Sequence, residues 1–423
     1  MSGREEKSPP PLLLVGMGDD GLDGLPLSAT RALFAADVII TSRRLISLLP
    51  PELARKAQGW PTPFSAMADH VARLRDKGGK VAVIATGDPF WHGVGSVLAR
   101  HFPPEEMTVH GHPSAFSLAC ARLGWPLQDT RQLSLHGARS SALIERYLHP
   151  GERLLVLPRG RATPLVVAER LSSRGFGPSK MTILAHMNGR DEQRFTTSAL
   201  QLADSGRTDF PDFHVIAVEC IADEDTPIYP LSAGLPDDAF THDGQITKRH
   251  VRAITVSALM PRPRATLWDV GAGCGSVAVE WLRLSGPTAR AIAIEKDEER
   301  CRMIAANADR LGAPEIEIVH GAAPAALSGL DAPDALFIGA AADDDELFDA
   351  CWSALGPGGL LVANAVTAGG EAALQRRHRQ LGGELTRIAI SRCAPLGDKQ
   401  AMRPALPVTQ LVVVKPIAEQ VKE

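Results

Sequence analysis

A run of alternating glycines at positions 271–275 constrains the fold of this chain more than any other feature of its sequence. The apolar stretch 266–270, which contains Asp269, precedes the run, and a helical pattern over 276–284 follows it. This order predicts a strand, a tight turn and a helix, in which bare backbone approaches a ligand and a helix N-terminus points at it. A dinucleotide fingerprint, G-x-G-x-x-G, needs a third glycine at the position of Ser276. The spacing therefore argues against an NAD-dependent oxidoreductase.

The composition indicates a globular protein of more than one domain. A chain of 423 residues is too long for one ordinary core, and 44% hydrophobic with 22% charged residues is typical of globular proteins. A net charge of −4 argues against a nucleic-acid partner, which would need a basic field. The six cysteines lack the spacing of a metal site, so we expect no metal and reduced thiols in a cytoplasmic protein. No apolar run reaches the roughly 20 residues that span a bilayer, so we expect no membrane partner.

The order of apolar runs and amphipathic stretches predicts an α/β fold in two parts. In residues 1–222, six strands alternate with helices, and a break near 128–139 suggests two lobes. A polar, turn-rich stretch over 223–236 is interpreted as a linker, and residues 237–423 form a second α/β domain. The polar N-terminal residues look like a short disordered lead. Two strands in succession at the end of the chain predict an antiparallel final hairpin on a mostly parallel sheet. The predicted strands are 12–15, 38–41, 80–85, 153–157, 181–185 and 214–218, then 266–270, 291–295, 315–319, 335–338, 360–363, 385–391 and 408–414.

Two further features of the second domain fit a nucleoside ligand. Glu295 lies about 20 residues after the glycine run, at the end of the second strand, where a carboxylate can bind ribose hydroxyls. A solvated acid at a strand end is the alternative. The third strand is followed by the loop 320–324, which should face the adenine because ligands of open parallel sheets lie beyond the carboxyl ends of the strands.

The motifs of the second domain resemble those of the Rossmann-like S-adenosylmethionine (SAM) methyltransferases that act on C15 of corrin precursors. The motifs are Gln-Ile-Thr-Lys-Arg-His-Val-Arg-Ala (245–253), Leu-Trp-Asp-Val-Gly-Ala-Gly-Cys-Gly-Ser-Val (267–277), Gly-Ala-Ala-Pro (321–324), Ala-Leu-Phe-Ile-Gly (335–339) and Leu-Val-Ala-Asn-Ala-Val-Thr (361–367). The resemblance implies SAM contacts at Thr247, Gly271, Ala272, Gly273, Cys274, Gly275, Glu295 and Ala323. The chain departs from the family pattern at Ile246, Ala322 and Ala340, where methionine, aspartate and glycine are usual. Thr247 is also a plausible N-cap of the first helix of this domain.

The motifs of the first domain resemble those of the tetrapyrrole methylases that methylate C5 of corrin precursors. The motifs are a glycine turn (16–18), a Gly-Asp-Pro-x-x-x-Gly loop (87–93), His-Pro-Ser-Ala-Phe-Ser (112–117), Ser-Leu-His-Gly (134–137) and Thr-Pro (163–164). The resemblance implies a two-lobed fold, unrelated to the Rossmann-like class, that holds SAM between its lobes. It places Gly87, Asp88, Pro89, Thr163 and Pro164 near SAM, and His136 could face the substrate. The family's Gly-x-Gly-Pro-Gly and Glu-x-Leu-Gly motifs are replaced here by 16–20 and 185–189.

Together the two resemblances imply SAM at two sites and a small tetrapyrrole substrate. The implied function is methylation at C5 and C15 with decarboxylation of the ring C acetate, which converts precorrin-6B into precorrin-8X in cobalamin biosynthesis. Methyl transfer to an electron-rich carbon needs alignment more than a strong base, whereas a general acid would help the decarboxylation step. The candidates for that acid are Lys248, His250 and His320. Several arginines, whose alternative role is a solvated surface, could clamp the substrate carboxylates; these are Arg159, Arg161, Arg249 and Arg252.

Other functions are weighed against this one. A SAM methyltransferase acting on amino groups of nucleic acid or protein usually carries a polar-Pro-Pro-aromatic loop after the fourth strand, where this chain has Ile-Gly-Ala-Ala (338–341). A non-catalytic binding module would require one site to be vestigial. Both families tend to self-associate, so we expect a homo-oligomer.

Overall fold

The computed structural model describes residues 9–136 and 140–417 and divides the chain into two compact units. The first unit comprises residues up to 139 together with 149–226, and the second comprises 140–148 together with the residues from 227 onwards. The division at 226 falls inside the stretch interpreted as a linker. The N-terminal lead and Gly137 of the Ser-Leu-His-Gly motif lie outside the described residues.

The first unit contains two five-stranded sheets, which the two-lobed prediction anticipated. The first sheet is entirely parallel in the order β3-β2-β4-β1-β5, and β1 is buried along its whole length, as expected of a strand covered on both faces. Its strands are β1 (Leu12–Met17), β2 (Val38–Ile40), β3 (Ala57–Gln58), β4 (Val81–Thr86) and β5 (Met107–His110).

The second sheet of this unit is mostly antiparallel. Its order is β6-β7-β10-β8-β9, in which only the β6–β7 pair is parallel. Its strands are β6 (Arg131–Ser134), β7 (Arg153–Leu157), β8 (Lys180–Ala185), β9 (Gln193–Ser198) and β10 (His214–Glu219). The helices of the unit are α1 (Leu27–Ala35), α2 (Arg43–Ile46), α3 (Pro51–Ala54), α4 (Met67–Asp76), α5 (Gly95–Leu98), α6 (Ala115–Leu123), α7 (Thr163–Ser173) and α8 (Ala199–Ser205).

The second unit is built on one seven-stranded sheet, ordered β13-β12-β11-β14-β15-β19-β16. The first five of these strands are parallel, and β19 runs antiparallel to both of its neighbours, which confirms the prediction for the last strand. The strands are β11 (Thr266–Val270), β12 (Arg290–Glu295), β13 (Ile316–His320), β14 (Ala335–Ile338), β15 (Leu360–Ala365), β16 (Glu384–Ile388) and β19 (Val408–Val414).

The final two strands of the sheet are not joined directly. A separate two-stranded hairpin, β17 (Ser391–Leu396) and β18 (Lys399–Pro404), lies between them in sequence and was not predicted. Its strands are mostly exposed, so they lack the apolar run by which a buried strand is recognised.

The helices of the second unit cover the sheet and join its strands. They are α9 (Arg249–Ala258), α10 (Ser276–Ser285), α11 (Glu298–Leu311), α12 (Asp345–Ala354) and α13 (Ala368–Leu381). In the part of the chain that the structure describes, no helix combines the length and the apolarity that crossing a membrane requires.

The stretch interpreted as a linker is packed into the second unit over part of its length. Leu235 is buried in the core, and Tyr229 and Ala233 pack against that core. The carboxylate of Glu280 on α10 is buried and accepts hydrogen bonds from the backbone N–H groups of Gly234 and Leu235, at 2.7 and 2.9 Å. These contacts fix the entry of the chain into the second unit.

Candidate functional site

A cavity of about 450 Å³ lies in the first unit. Its wall includes residues that follow β1, β4 and β8, and residues of β10. The cavity therefore lies at the carboxyl edge of the parallel sheet and also contacts the second sheet. Carboxyl ends of parallel strands are where ligands of α/β folds bind.

The Gly-Asp-Pro loop after β4 forms part of this wall. Gly87 and Asp88 line the cavity, and Pro89 is buried. Gly87 has a φ of 61°, in the left-handed region that favours glycine. A Cβ on Gly93 would lie 2.4 Å from the carbonyl oxygen of Pro89, so the last glycine of the motif permits the loop to fold back on itself.

The Thr-Pro pair lies at the start of α7, next to the cavity wall. The hydroxyl of Thr163 accepts hydrogen bonds from the backbone N–H groups of Arg159 and Gly160, both at 3.1 Å. Arg159 lines the cavity, whereas Thr163 and Pro164 are buried. Thr163 therefore shapes the loop that faces the cavity.

One predicted residue of the first unit, His136, is joined at the cavity by two histidines that the sequence did not indicate as site residues. His136 lines the cavity, as do His186 and His214. The Nδ1 of His214 lies 2.5 Å from the carbonyl oxygen of Pro211, and its Nε2 is buried without a hydrogen-bond partner among the described residues. Burial lowers the pKa of His214, which favours the neutral ring.

The two departures from the tetrapyrrole-methylase pattern meet at the cavity. Asp19, after β1, contacts the guanidinium of Arg44 and lies 2.9 Å from Nδ1 of His186, after β8. Asn188 donates a hydrogen bond to Asp20 at 3.1 Å. The polar residues that replace the usual motifs therefore pair with each other. The only sign of this pairing in the sequence is that polar residues replace the usual residues of both motifs.

In the second unit, the glycine run forms the turn that its spacing predicts. Gly271, Gly273 and Gly275 have φ values of 71°, 59° and 76°, all in the left-handed region. The backbone N–H groups of Gly271 and Ala272 donate to the carbonyl oxygen of Ile294, at 2.9 and 3.1 Å, which ties the turn to β12. The turn leads into the N-terminus of α10, which is suited to a polar or anionic group.

Cys274 contributes only its backbone to the turn. Its side chain is buried in the core, and burial raises the pKa of the thiol. Its carbonyl oxygen accepts a hydrogen bond from Asn307 on α11, at 2.9 Å. The position therefore serves the shape of the loop rather than its chemistry.

Glu295 faces the glycine turn. Its Oε2 accepts the backbone N–H of Gly273 at 2.8 Å, and its Oε1 accepts those of Lys296 and Asp297, at 2.9 and 3.1 Å. A carboxylate offers about four acceptor sites, so Oε2 keeps capacity for a hydroxyl donor. Glu295 is thus a buried carboxylate at the rim of the turn.

Thr247 belongs to the stretch before α9, which lies against the turn at Gln245, but it is not the N-cap of α9. A Cβ on Gly273 would lie 3.6 Å from the carbonyl oxygen of Gln245, which places the stretch before α9 against the glycines. The N-cap is Lys248, and the first N–H of the helix, from Arg249, donates to Asp237 at 2.9 Å. The prediction of a threonine cap is wrong because the side chain of Asp237, at the start of the second domain, accepts the first N–H of the helix instead.

Arg252 is not available as a clamp for a substrate. It is fully buried and donates to the carboxylates of Glu280 and Asp237, at 2.6 and 3.0 Å, and to the carbonyl oxygen of Thr247 at 2.6 Å. Its role in the structure is to hold the chain before α9.

The predicted proton donors lie at the exposed rim of the second unit. His250 on α9 is exposed, and its Nδ1 lies 3.3 Å from Arg392 on the hairpin, so β17 approaches this end of α9. Lys248 is also exposed. His320 ends β13 opposite Glu295 in register, and its Nε2 lies 3.1 Å from the carbonyl oxygen of Lys296.

Ala323 and the loop after β14 complete the surroundings of the turn. Gly321, in the same loop as Ala323, donates its backbone N–H to the carbonyl oxygen of Glu295, at 2.9 Å. A Cβ on Gly271 would lie 3.8 Å from the Cβ of Ala340, so alanine is accommodated where the family has glycine.

Comparisons with known proteins find matches for both halves of the chain. The model for tetrapyrrole (corrin/porphyrin) methylases matches residues 11–203, and the precorrin methyltransferase domain matches residues 238–415. A precorrin-6Y C(5,15)-methyltransferase [decarboxylating] from a Sinorhizobium species is 44% identical over 402 residues, covering 95% of each chain. The enzyme of that name from Mycobacterium tuberculosis is 41% identical over 404 residues, 96% of this chain and all of the relative.

The chain belongs to the precorrin-6Y C5,15-methyltransferase family. The solved C-terminal domain of a precorrin-6Y C5,15-methyltransferase from Rhodobacter capsulatus is 42% identical and covers 44% of this chain and 100% of that domain, with a TM-score of 0.42. The family itself is shown by the two relatives above, which match this chain over 95% and 96% of its length.

Proposed function

We propose that this chain methylates C5 and C15 of precorrin-6B and removes the carboxyl group of the ring C acetate, giving precorrin-8X for cobalamin biosynthesis. The observation that carries the proposal is the presence of both family domains, in order, in one chain that matches relatives of this activity over nearly its whole length. We assign C5 methylation to the first unit and C15 methylation with decarboxylation to the second.

The second unit has features that fit SAM. The three glycines of the turn place no side chain between the backbone and a ligand, and Glu295 retains acceptor capacity for ribose hydroxyls beside Gly273. Thr247 and Ala323 lie in loops that contact the turn or Glu295. When bound, SAM supplies a methyl group to a nucleophilic carbon. The chain's part is to hold donor and acceptor in line, which lowers the entropic barrier without a strong base.

The rim of the second unit supports the decarboxylation step. Loss of carbon dioxide leaves an electron pair that the conjugated macrocycle takes up, and protonation of the ring assists that loss. Lys248, His250 and His320 remain the proposed acids. The proximity of Arg392 to His250 adds a cation that suits the carboxylates of the substrate.

The cavity of the first unit supports the proposal of a second SAM site. Gly87 and Asp88 line the cavity, whereas Pro89, Thr163 and Pro164 support its loops, and we propose that SAM binds against this wall. His136 would face the macrocycle. The homo-oligomer and the absence of a nucleic-acid partner stay predictions.

The activity is tested by incubating the full chain with precorrin-6B and methyl-labelled SAM. We expect two methyl groups gained and one molecule of carbon dioxide released per substrate, located by mass spectrometry and NMR. A single methyl group would overturn the double activity, and none would overturn the proposal altogether.

The number of SAM sites is tested by calorimetric titration with S-adenosylhomocysteine. We expect two equivalents for the native chain and one for each of two variants, Gly273→Val and Gly93→Val. Valine is disfavoured at the left-handed φ of Gly273, and at Gly93 its Cβ would clash with Pro89. A single equivalent for the native chain would contradict the two-site proposal.

A further inference from the structure

Two loops of the first unit carry an interlocking set of polar side chains on the wall of the cavity. Asp19 follows β1, and His186 follows β8, so the pair joins loops that belong to different sheets of this unit. Both residues line the cavity. A Cβ on Gly189 would lie 2.9 Å from the Cβ of Asp19, which shows how closely the two loops pack.

Asp19 is held in place from two sides. Its side chain is 7% exposed, one carboxylate oxygen contacts Arg44 and the other lies 2.9 Å from Nδ1 of His186. Arg44 is positioned in turn by a hydrogen bond to the hydroxyl of Thr86, at 3.0 Å, and by the ring of Phe213, whose centroid lies 3.9 Å from the guanidinium carbon. Burial lowers the pKa of Arg44 to about 10, so the guanidinium is still a cation at neutral pH and pairs with the carboxylate.

This arrangement determines which nitrogen of His186 is free to act as a base. A carboxylate only accepts hydrogen bonds, so the proton of the neutral ring resides on Nδ1 and the lone pair on Nε2. The side chain is 31% exposed, in contrast to Asp19 behind it. The φ of His186 is 50°, a left-handed conformation that a histidine adopts at some cost.

Two other histidines of the cavity, His112 and His214, are less suited to accept a proton. His112 has Nδ1 at 3.0 Å from the carbonyl oxygen of Pro113 and Nε2 at 3.6 Å from Asp20, with a side chain that is only 3% exposed. The Nε2 of His214 is buried. His186 therefore combines an oriented ring, a buried carboxylate partner and exposure to the cavity.

The proposed function of the first unit creates a need for such a base. Replacing hydrogen by a methyl group that arrives as a cation equivalent releases one proton. Addition at C5 leaves the macrocycle positively charged until the C5–H bond breaks and its electron pair returns to the conjugated system. We propose that Nε2 of His186, oriented by Asp19, accepts this proton in the C5 methylation and later passes it to solvent. Asp19 stabilises the resulting imidazolium, as carboxylates do in hydrolytic triads.

The first test compares His186→Asn with the native full chain. Asparagine tolerates a positive φ but has no basic nitrogen. Because general base catalysis contributes about 10²- to 10⁴-fold, we expect C5 methylation to fall at least about 100-fold while S-adenosylhomocysteine still binds and C15 methylation with carbon dioxide release persists. His101→Asn, at an exposed position away from the cavity, is the matched control and should behave like the native chain.

The second test separates a base from a merely structural residue. In His186→Gly, whose glycine suits the φ of 50°, added imidazole should restore C5 methylation. In D₂O without SAM, the native chain should exchange the C5 hydrogen of the substrate faster than His186→Asn does, because the same nitrogen delivers deuterium and removes hydrogen.

These readouts distinguish the two proposals. If the native chain forms no C5-methylated product, the proposed function fails and the inference fails with it. If the native chain methylates C5 and His186→Asn does so within about threefold of the native rate, only the inference is overturned. Loss of activity without rescue by imidazole would likewise overturn the role as a base.

Discussion

At the scale of single residues, the carboxyl group of Asp269 is buried where its charged form is energetically unfavourable. It is completely buried at the end of β11, where Oδ2 accepts the N–H of Ala278 at 3.0 Å. Burial raises its pKa from 3.8 to about 7, and the nearby carboxylate of Glu295 acts in the same direction. The folded chain therefore keeps this proton up to a higher pH than the unfolded chain does.

The sign of the pH dependence follows from this raised pKa. The stabilising preference for the protonated form is complete below about pH 4, where unfolded and folded chains both hold the proton, and is lost as the pH rises through about 7. In Asp269→Asn, an amide oxygen can still accept from Ala278. We expect the variant to gain stability relative to the native chain as the pH increases from 4 to 8, measured by urea unfolding at several pH values. A constant difference across that range would contradict the raised pKa.

At the scale of secondary-structure elements, the buried pair between α9 and α10 fixes the approach to the glycine turn. Arg252 and Glu280 have side-chain exposures of 0% and 1%, and together they hold the backbone of residues 234–235 and 247. Glu280→Gln removes the charge opposite Arg252, and breaking a buried pair costs about 3–5 kcal/mol. We expect a lower midpoint for thermal unfolding and weaker binding of S-adenosylhomocysteine to the second unit.

An exposed ion pair provides the control for that substitution. Glu317 and Arg290 lie 3.4 Å apart with exposures of 51% and 53%. Since solvent screens such pairs, Glu317→Gln should change the midpoint little. Equal shifts of the unfolding midpoint in the two variants would show that the Arg252–Glu280 pair does not stabilise the approach to the turn.

Strands buried inside their sheets, parallel or antiparallel, were the elements that the sequence could predict. The bounds of β7, β11, β14 and β19 match the predictions because these strands are compact apolar runs. Strands that lie at sheet edges or in the hairpin, such as β9, carry exposed polar residues, so no apolar pattern marks them. The glycine turn could be predicted because the residues that form it are consecutive in the sequence. The sequence did not indicate the Asp19–His186 pair, whose partners are 167 positions apart.

At the scale of the whole molecule, the second unit includes a short piece of the first half of the chain. Residues 140–148 belong to it, and Arg146 is fully buried there, with a hydrogen bond to the carbonyl oxygen of Gly312 at 2.8 Å and an ion pair with Glu315 at 2.9 Å. A Cβ on Gly312 would lie 2.4 Å from the backbone nitrogen of Arg146. This piece is thus buried over residues 142–146 and packs directly against the backbone at Gly312.

We expect Arg146→Ala to destabilise the second unit by about 3 kcal/mol, because it breaks a buried pair and leaves Glu315 and a carbonyl oxygen without their partner. Differential scanning calorimetry of the full chain measures the shift. Arg131→Ala, which removes an exposed partner of Glu152, is the matched control. An unfolding profile of Arg146→Ala equal to that of the control would contradict the assignment of residues 140–148 to the second unit.

The course of residues 140–148 has a consequence for how a two-activity gene of this kind can be divided. A gene cut before the codon of Pro227 would leave nine codons of the second unit in the upstream fragment. The downstream product would lack Arg146 and expose the surface that this piece covers. Independent expression of the downstream fragment would therefore favour substitutions around Gly312 and Glu315 that make this surface polar. Because the chain passes between the two units at three boundaries, after residues 139, 148 and 226, no single cut separates them.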